Sequence, residues 1–353
     1  MNGVATWPLT SLWLAAGLFT AGVCTMLRAA PRFGGHRGRA WAATLLILAM
    51  ASFANCYFGY LPRVGDVVGP RPWPQTTLSS VLTPRPGDGK HPDGAVVNMP
   101  IRGVRSGVRR RSAFVYLPPQ YFTQPQERFP VLYLLHGSPG VPLDWFRGAE
   151  AATAGLKAAR RHRPVILVAP RMSRGWLDDS ECIDRPGLRA ESYLTQDVIP
   201  TVDSMLRTVA TPESRGLVGN SAGGYCALTI GLRHPGMFRR IIALSPLIKP
   251  TYTYGSLADL FGHPSNLPQA VDEHTPAWLL QNQRGALGVE IRLDVGRSDP
   301  AAADTRRLAA LDEQLHGSAV LVTRPGGHTF RVWRPALEQA VSWFAEKATL
   351  MDR

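Results

Sequence analysis

The chain has 353 residues, a formal net charge of +13 and a sequence pI near 10.2, with 45% hydrophobic but only 18% charged residues. That length holds one large domain with accessory segments, or two domains, and so little charge beside an ordinary apolar fraction suggests that part of the chain sits in lipid. The basic balance comes without a nucleic-acid module or an aromatic-interleaved basic stripe, which leaves a membrane or envelope surface as the better partner, with a GC-rich genome accounting for part of the arginine excess.

Two runs open the chain, Trp7 to Leu27 and Ala40 to Leu61, neither with a charged side chain. Each is about 20 residues, the length a helix needs to cross the hydrocarbon core. A secretory signal peptide fits poorly, because no basic segment precedes the first run and a second run follows at once. Arg28, Arg32, Arg37 and Arg39 lie between them. By the positive-inside rule this loop is cytoplasmic, so the N-terminus and everything after the second run lie outside, although Arg63 and Arg71 dilute the signal. The sequence thus predicts a two-span membrane anchor over 1–62. A linker over 63–94 follows, because the stretches 69–74 and 84–89 are too rich in proline and glycine for regular structure.

From residue 95 the pattern turns to alternating strands and helices. Strands are expected at 95–101, 112–117, 131–135, 165–169, 215–219, 241–245, 289–295 and 319–323. Continuous apolar strands separated by helices predict an α/β fold, a mostly parallel sheet with helices on both faces, spanning 95–348. Ligands of such sheets sit at the carboxyl ends of the strands.

The strand ends carry the chemistry. Gly219-Asn220-Ser221-Ala222-Gly223 follows a strand and precedes a helical segment, which is the setting of a nucleophile elbow. Ser221 is the candidate nucleophile. The strand ending at Val295 leads to Asp299, the preferred triad acid, with Asp294 as the competitor inside the strand; Asp299 also suits a helix N-cap. The last strand leads through a glycine turn to His328, the candidate base. The chain order Ser221, Asp299, His328 is that of α/β-hydrolases. The turn after 131–135, His136-Gly137-Ser138-Pro139, points to the backbone N–H of Ser138 as one oxyanion donor and that of Ala222 as the other, with His136 read as structural. The expected reaction is acyl transfer through an acyl-enzyme, His328 taking the Ser221 proton and Asp299 orienting the imidazole. No metal or organic cofactor is expected, since no cysteine or histidine cluster has ligand spacing. A Cys182–Cys226 disulfide stays open, conditional on export.

With these residues in place the chain resembles the esterase D / antigen 85 family of α/β-hydrolases over about residues 95–348. The resemblance is carried by V-Y-L-P-P-Q-Y at 115–121, F-P-V-L-Y-L-L-H-G at 129–137, Q-D-V-I-P at 196–200, G-N-S-A-G-G at 219–224, R-H-P-G-M-F at 233–238 and H-T-F-R-V-W at 328–333. It implies an ester substrate and an actinobacterial envelope setting. This chain departs from the family at Asn220 and Ala222, where methionine or glutamine is frequent, at Asp299, where antigen 85 members use glutamate, and in its anchor. Three functions follow as expectations: an extracytoplasmic, membrane-anchored serine esterase acting on envelope lipid or glycan esters, an acyltransferase to a sugar alcohol, or a non-catalytic scaffold. Residues 247–287 are open between a lid and a helical crossover, and the polar loop 173–185 with Trp176 is expected to border the site.

Overall fold

The computed structural model describes residues 8–28, 36–67, 75–82, 91–147, 150–283 and 288–350. The chain divides into two compact units, Met1–Arg71 with Thr329–Arg331, and Pro72–His328 with Val332–Arg353.

In the first unit α1 (Leu12–Arg28) packs along α2 (His36–Phe58). Gly22 permits the approach, since a Cβ there would stand 3.0 Å from the Leu46 side chain. Small residues let helix backbones close on one another in this way. Asn55 then ties the open ends together. Its Nδ2 donates to the carbonyls of Leu9 (3.2 Å) and Leu61 (2.8 Å), and its Oδ1 accepts from the Leu61 N–H at 2.7 Å. Among the described residues one helix, over Gly38–Phe58, is long and apolar enough to cross a membrane, while the apolar part of α1, Leu12–Met26, is shorter. The first run therefore yields less helix than its composition predicts. Pro8 pairs with Arg63 in an isolated bridge instead of entering the helix, and the chain becomes helical only at Leu12.

The second unit is built on a nine-stranded sheet. A short edge strand, β1 (Gln75–Thr76), runs parallel to β2 (Ala95–Ile101), and α3 (Leu78–Leu82) lies between them in sequence. This segment differs from the expected linker. Leu78 and Val81 pack on the core, so a short apolar island between two proline-rich stretches suffices to add an edge. The proline-rich stretches 69–74 and 84–89 themselves lie outside the described residues.

Next come β3 (Arg111–Leu117), α4 (Pro119–Thr123), β4 (Val131–Leu135), α5 (Glu150–Arg161) and β5 (Ile166–Pro170). A two-stranded ribbon, β6 (Asp184–Arg185) with β7 (Leu188–Arg189), precedes a helical stretch. That stretch is α6 (Ala190–Ser192), a π-helical segment at Tyr193–Val198, and α7 (Ile199–Met205). Then follow β8 (Arg215–Asn220), α8 (Ala222–Arg233), β9 (Arg240–Leu244) and the helices α9 (Leu257–Phe261), α10 (Leu267–Asp272) and α11 (Pro276–Asn282). The chain closes with β10 (Glu290–Gly296), α12 (Ala302–Gln314), β11 (Val320–Arg324) and α13 (Phe330–Leu350).

The sheet order is β1-β2-β3-β5-β4-β8-β9-β10-β11, with β3 antiparallel to β2 and β5 and all other neighbours parallel. Every residue of β4, β5, β8 and β9 is buried, as strands covered on both faces require. α8 is buried over its whole length apart from Arg233. Gly216 lets α13 approach β8, for a Cβ there would lie 2.7 Å from the Phe344 ring. Residues 247–287 hold α9, α10 and α11, a helical crossover whose Leu279 and Leu280 enter the core.

Two of the quoted motifs are structural. Asp197 accepts the N–H groups of Arg105 (2.8 Å) and Ser106 (2.9 Å), pinning the loop before β3. Arg233 Nε (3.0 Å) and His234 Nε2 (2.6 Å) both meet Glu191 Oε1.

Candidate active site

Ser221 occupies the turn from β8 to α8 with φ +54° and ψ −124°, a conformation L-residues rarely adopt. Its own N–H is held by the Leu244 carbonyl at 2.9 Å. The flanking glycines are obligatory. A Cβ at Gly219 would lie 1.9 Å from the Gly223 carbonyl oxygen, and one at Gly223 would lie 2.1 Å from the Leu135 oxygen. Strand, turn and helix are therefore in backbone contact, and the hydroxyl is lifted above the sheet edge.

The loops after β10 and β11 are laced together. Arg297 N–H donates to the Arg324 carbonyl (2.7 Å), and Ser298 N–H to that of Gly326 (2.9 Å). Gly296 makes this possible, as a Cβ there would stand 2.4 Å from the Gly326 oxygen. This lacing brings Asp299 and His328 together. His328 Nδ1 lies 3.0 and 3.1 Å from the two Asp299 oxygens, and its Nε2 lies 2.9 Å from Ser221 Oγ. The Trp333 ring packs edge-on against the imidazole, centroids 4.9 Å apart. The three residues that the sequence selects thus meet in one hydrogen-bonded chain.

Asp299 is buried. Burial favours its neutral form, but hydrogen bonds with His328 and from the Ala301 N–H (2.9 Å) outweigh that and hold the carboxyl below the usual aspartate range. The bond to Ala301 also serves the start of the α12 segment, so the capping and the imidazole-orienting geometries coexist. Asp294, the competing acid, is engaged elsewhere. It accepts from Arg292 Nε at 2.8 Å and from Arg324 Nε at 2.8 Å, in a buried ion cluster that ties β10 to β11.

The turn after β4 abuts the elbow. A Cβ on Gly137 would stand 3.4 Å from Ser221 Cβ. Ser138 and Ala222 line one small pocket beside the serine. His136 is a buried scaffold residue. Its Nδ1–H donates to the Gly137 carbonyl (3.0 Å), its Nε2 accepts from the Met172 N–H (3.3 Å), and burial lowers its pKa so that the ring stays neutral.

The loop 173–185 does border the site. The Trp176 carbonyl accepts the Gly140 N–H at 2.8 Å, and Asp178, Asp179, Glu181 and Cys182 line the same pocket as Ser138 and Ala222. Cys182 and Cys226 form a disulfide that staples this loop to α8. The acidic pair Asp179 and Glu181 was not singled out from sequence. The available signal was D-D-S-E-C, three acids crowded beside a cysteine. Among the described residues no group of three or more acidic, histidine or cysteine side chains has an arrangement that could hold a metal ion.

Sheet order, elbow and strand-end loops define an α/β-hydrolase. The family described as "Putative esterase" matches residues 106–344, and the chain belongs to it. It is a carboxylic ester hydrolase. An uncharacterized protein of Corynebacterium glutamicum is 28% identical to it over 96% of this chain and 82% of its own length. A match of that extent includes most of the N-terminal hairpin. Among solved structures, a ferulic acid esterase superposes with a TM-score of 0.61 at 21% identity, covering 72% of this chain and 98% of its own. An S-formylglutathione hydrolase from Agrobacterium tumefaciens does so with a TM-score of 0.60 at 19% identity, covering 74% and 98%. At such identity these neighbours speak to fold.

Proposed function

We propose that the protein is a serine esterase working through an acyl-enzyme, held at the cell membrane by its N-terminal hairpin with the hydrolase unit on the extracytoplasmic side. The observation that carries the mechanism is the unbroken hydrogen-bond chain from Asp299 through His328 to Ser221 Oγ. As Ser221 attacks the ester carbonyl, His328 Nε2 takes its proton and Asp299 stabilises the imidazolium. The oxyanion is received by the N–H groups of Ser138 and Ala222, the latter at the positive end of α8. His328 then returns the proton to the leaving alcohol and activates the water that releases the acyl group.

The location is supported by α2, whose Gly38–Phe58 stretch suits a bilayer, and by arginines 28, 37 and 39 around the hairpin bend. The Cys182–Cys226 disulfide supports the same side, because such bonds persist in oxidising compartments. An ester of the cell envelope is the substrate within reach of that placement. A fluorophosphonate probe tests the chemistry. It should label the wild type and fail on Ser221→Ala and His328→Ala; an unlabelled, folded wild type defeats the mechanism. Cysteines placed singly in 75–82 should react with an impermeant thiol reagent on whole cells, and protection there reverses the orientation.

A further inference from the structure

We propose that the pocket beside the oxyanion turn receives the ammonium of an aminoacyl group, so that the preferred substrates are esters whose acyl part bears a free amine. The proposal rests on the esterase reading above and names its substrate class. The pocket, small and open at its mouth, includes Ser138 and Ala222, the two residues assigned to the oxyanion. A group bound there is therefore close to the carbonyl carbon. His328, which must reach the leaving alcohol, does not line it. The pocket thus serves the acyl side of the ester. Its enclosed space, about 10 Å3, takes one water-sized polar group such as an ammonium and not a fatty chain.

The wall supplies the recognition. Asp179 and Glu181 are 4% and 1% exposed. One oxygen of each is held by a threonine: Thr251 Oγ1 donates to Glu181 Oε1 at 3.1 Å, and Thr253 Oγ1 to Asp179 Oδ2 at 3.5 Å. The other two, Asp179 Oδ1 and Glu181 Oε2, are buried without a donor in hydrogen-bonding geometry. Leaving such oxygens unsatisfied is costly. The nearby cations are engaged with Asp178, Arg185 Nη2 at 2.8 Å and Arg174 Nη2 at 3.1 Å. Arg185 Nη1 donates to Tyr252 and His136 is neutral, so neither neutralises the pair. Burial, and for Glu181 also the charge of Asp179, push both carboxyl groups upward. An ammonium offers three donors and a full charge, enough to satisfy both free oxygens at once. A hydroxyl offers one donor, and an alkyl group none. The disulfide beside Glu181 fixes the wall to α8, which carries Ala222, so the acids and the oxyanion donor keep their spacing.

The test uses the full-length protein in detergent with glycerol esters of alanine, lactate, isobutyrate and N-acetylalanine, following glycerol release above the uncatalysed rate. The alanyl ester should exceed the isobutyryl and N-acetylalanyl esters in kcat/KM by at least about tenfold, the gain expected for a charge-assisted hydrogen bond, with the lactyl ester between. In Glu181→Gln and Asp179→Asn the alanyl-to-isobutyryl ratio should fall toward one. In the wild type alone the preference should fade as the substrate amine deprotonates, near about pH 8, a readout that survives if the variants do not fold. Equal rates on alanyl and isobutyryl esters, or lactyl matching alanyl, overturn the proposal and leave the esterase reading intact. Release from none of the four esters, with no fluorophosphonate labelling, overturns both.

Discussion

In the hairpin, Trp13 is 88% exposed and Met50 66%, with Ile47 and Phe53 also open; in the sheet, every residue of Val131–Leu135 is buried. The two units spend their apolar side chains differently. The sheet unit turns them inward, where β4, β5, β8 and β9 form a core covered on both faces. The hairpin turns them outward and keeps its polar groups, Asn55 above all, for closing its own ends. Outward apolar side chains on two helices suit hydrocarbon and not water, whereas inward ones suit either surrounding. Similar side chains are thus spent in two different ways. The candidate site belongs to one unit, because the loops that carry Ser221, Asp299 and Ser138 are all rooted in strands of the sheet.

That contrast can be broken in four ways. The largest effect is expected from Ser221→Ala, which should lower kcat for ester hydrolysis by roughly 10⁴-fold or more, as loss of a triad nucleophile does elsewhere, while leaving membrane association untouched. Initial rates and fractionation of the same preparation check both halves. Reducing the Cys182–Cys226 bond, or replacing it by Cys226→Ser, should destabilise the sheet unit by about 2–4 kcal/mol, given its sequence separation of 44, without altering the hairpin. Denaturant unfolding with and without reductant measures this. Ile47→Arg should do the reverse, costing ~2.5–3.5 kcal/mol of insertion if α2 spans the bilayer and shifting protein out of the carbonate-resistant fraction, with hydrolysis of a soluble ester unchanged. No shift would mean that α2 does not cross.

The smallest effect concerns pH. Glu181 has a raised folded pKa, so its protonated form stabilises the fold fully below the ordinary glutamate range, and that contribution is lost as pH rises from about 4.5 through the folded pKa. Wild type should therefore lose stability relative to Glu181→Gln over this window, by at most about 1.4 kcal/mol per pH unit. Asp299 has the opposite sign. Its depressed pKa contributes stability above the unfolded value, lost as pH falls through the folded one. Unfolding curves at several pH values, compared between the two proteins, isolate the Glu181 part.

Much of the sheet unit is legible in the sequence. The eight expected strands coincide with β2 to β5 and β8 to β11 to within about a residue at each end, the usual ambiguity of element boundaries. The reason is local: a strand buried on both faces must be continuously apolar, and its ends are marked where polar loop residues begin. The elbow is legible for a related reason, since only glycine tolerates a backbone oxygen at 1.9 Å from its Cβ position. Some local signals misled. The linker reading includes Q-T-T-L-S-S-V-L at 75–82 because proline-rich stretches flank it, yet a neighbouring strand edge stabilises it as β1 and α3. The first apolar run looked like a full span, yet it enters helix only at Leu12.

From its own sequence the protein determined where apolar strands run, where the backbone must turn without a side chain, and which alcohol, acid and imidazole stand at strand ends in hydrolase order. Tertiary structure alone decided that Gly296 and Gly326 bring the loops of Asp299 and His328 into contact, that Asp294 is taken by arginines, that Cys182 meets Cys226, and that Asp179 and Glu181 face a pocket with oxygens unsatisfied. The division has one physical cause. Burial and backbone sterics act on neighbours along the chain, whereas distances between loops far apart in sequence are set by the register and order of the strands that carry them.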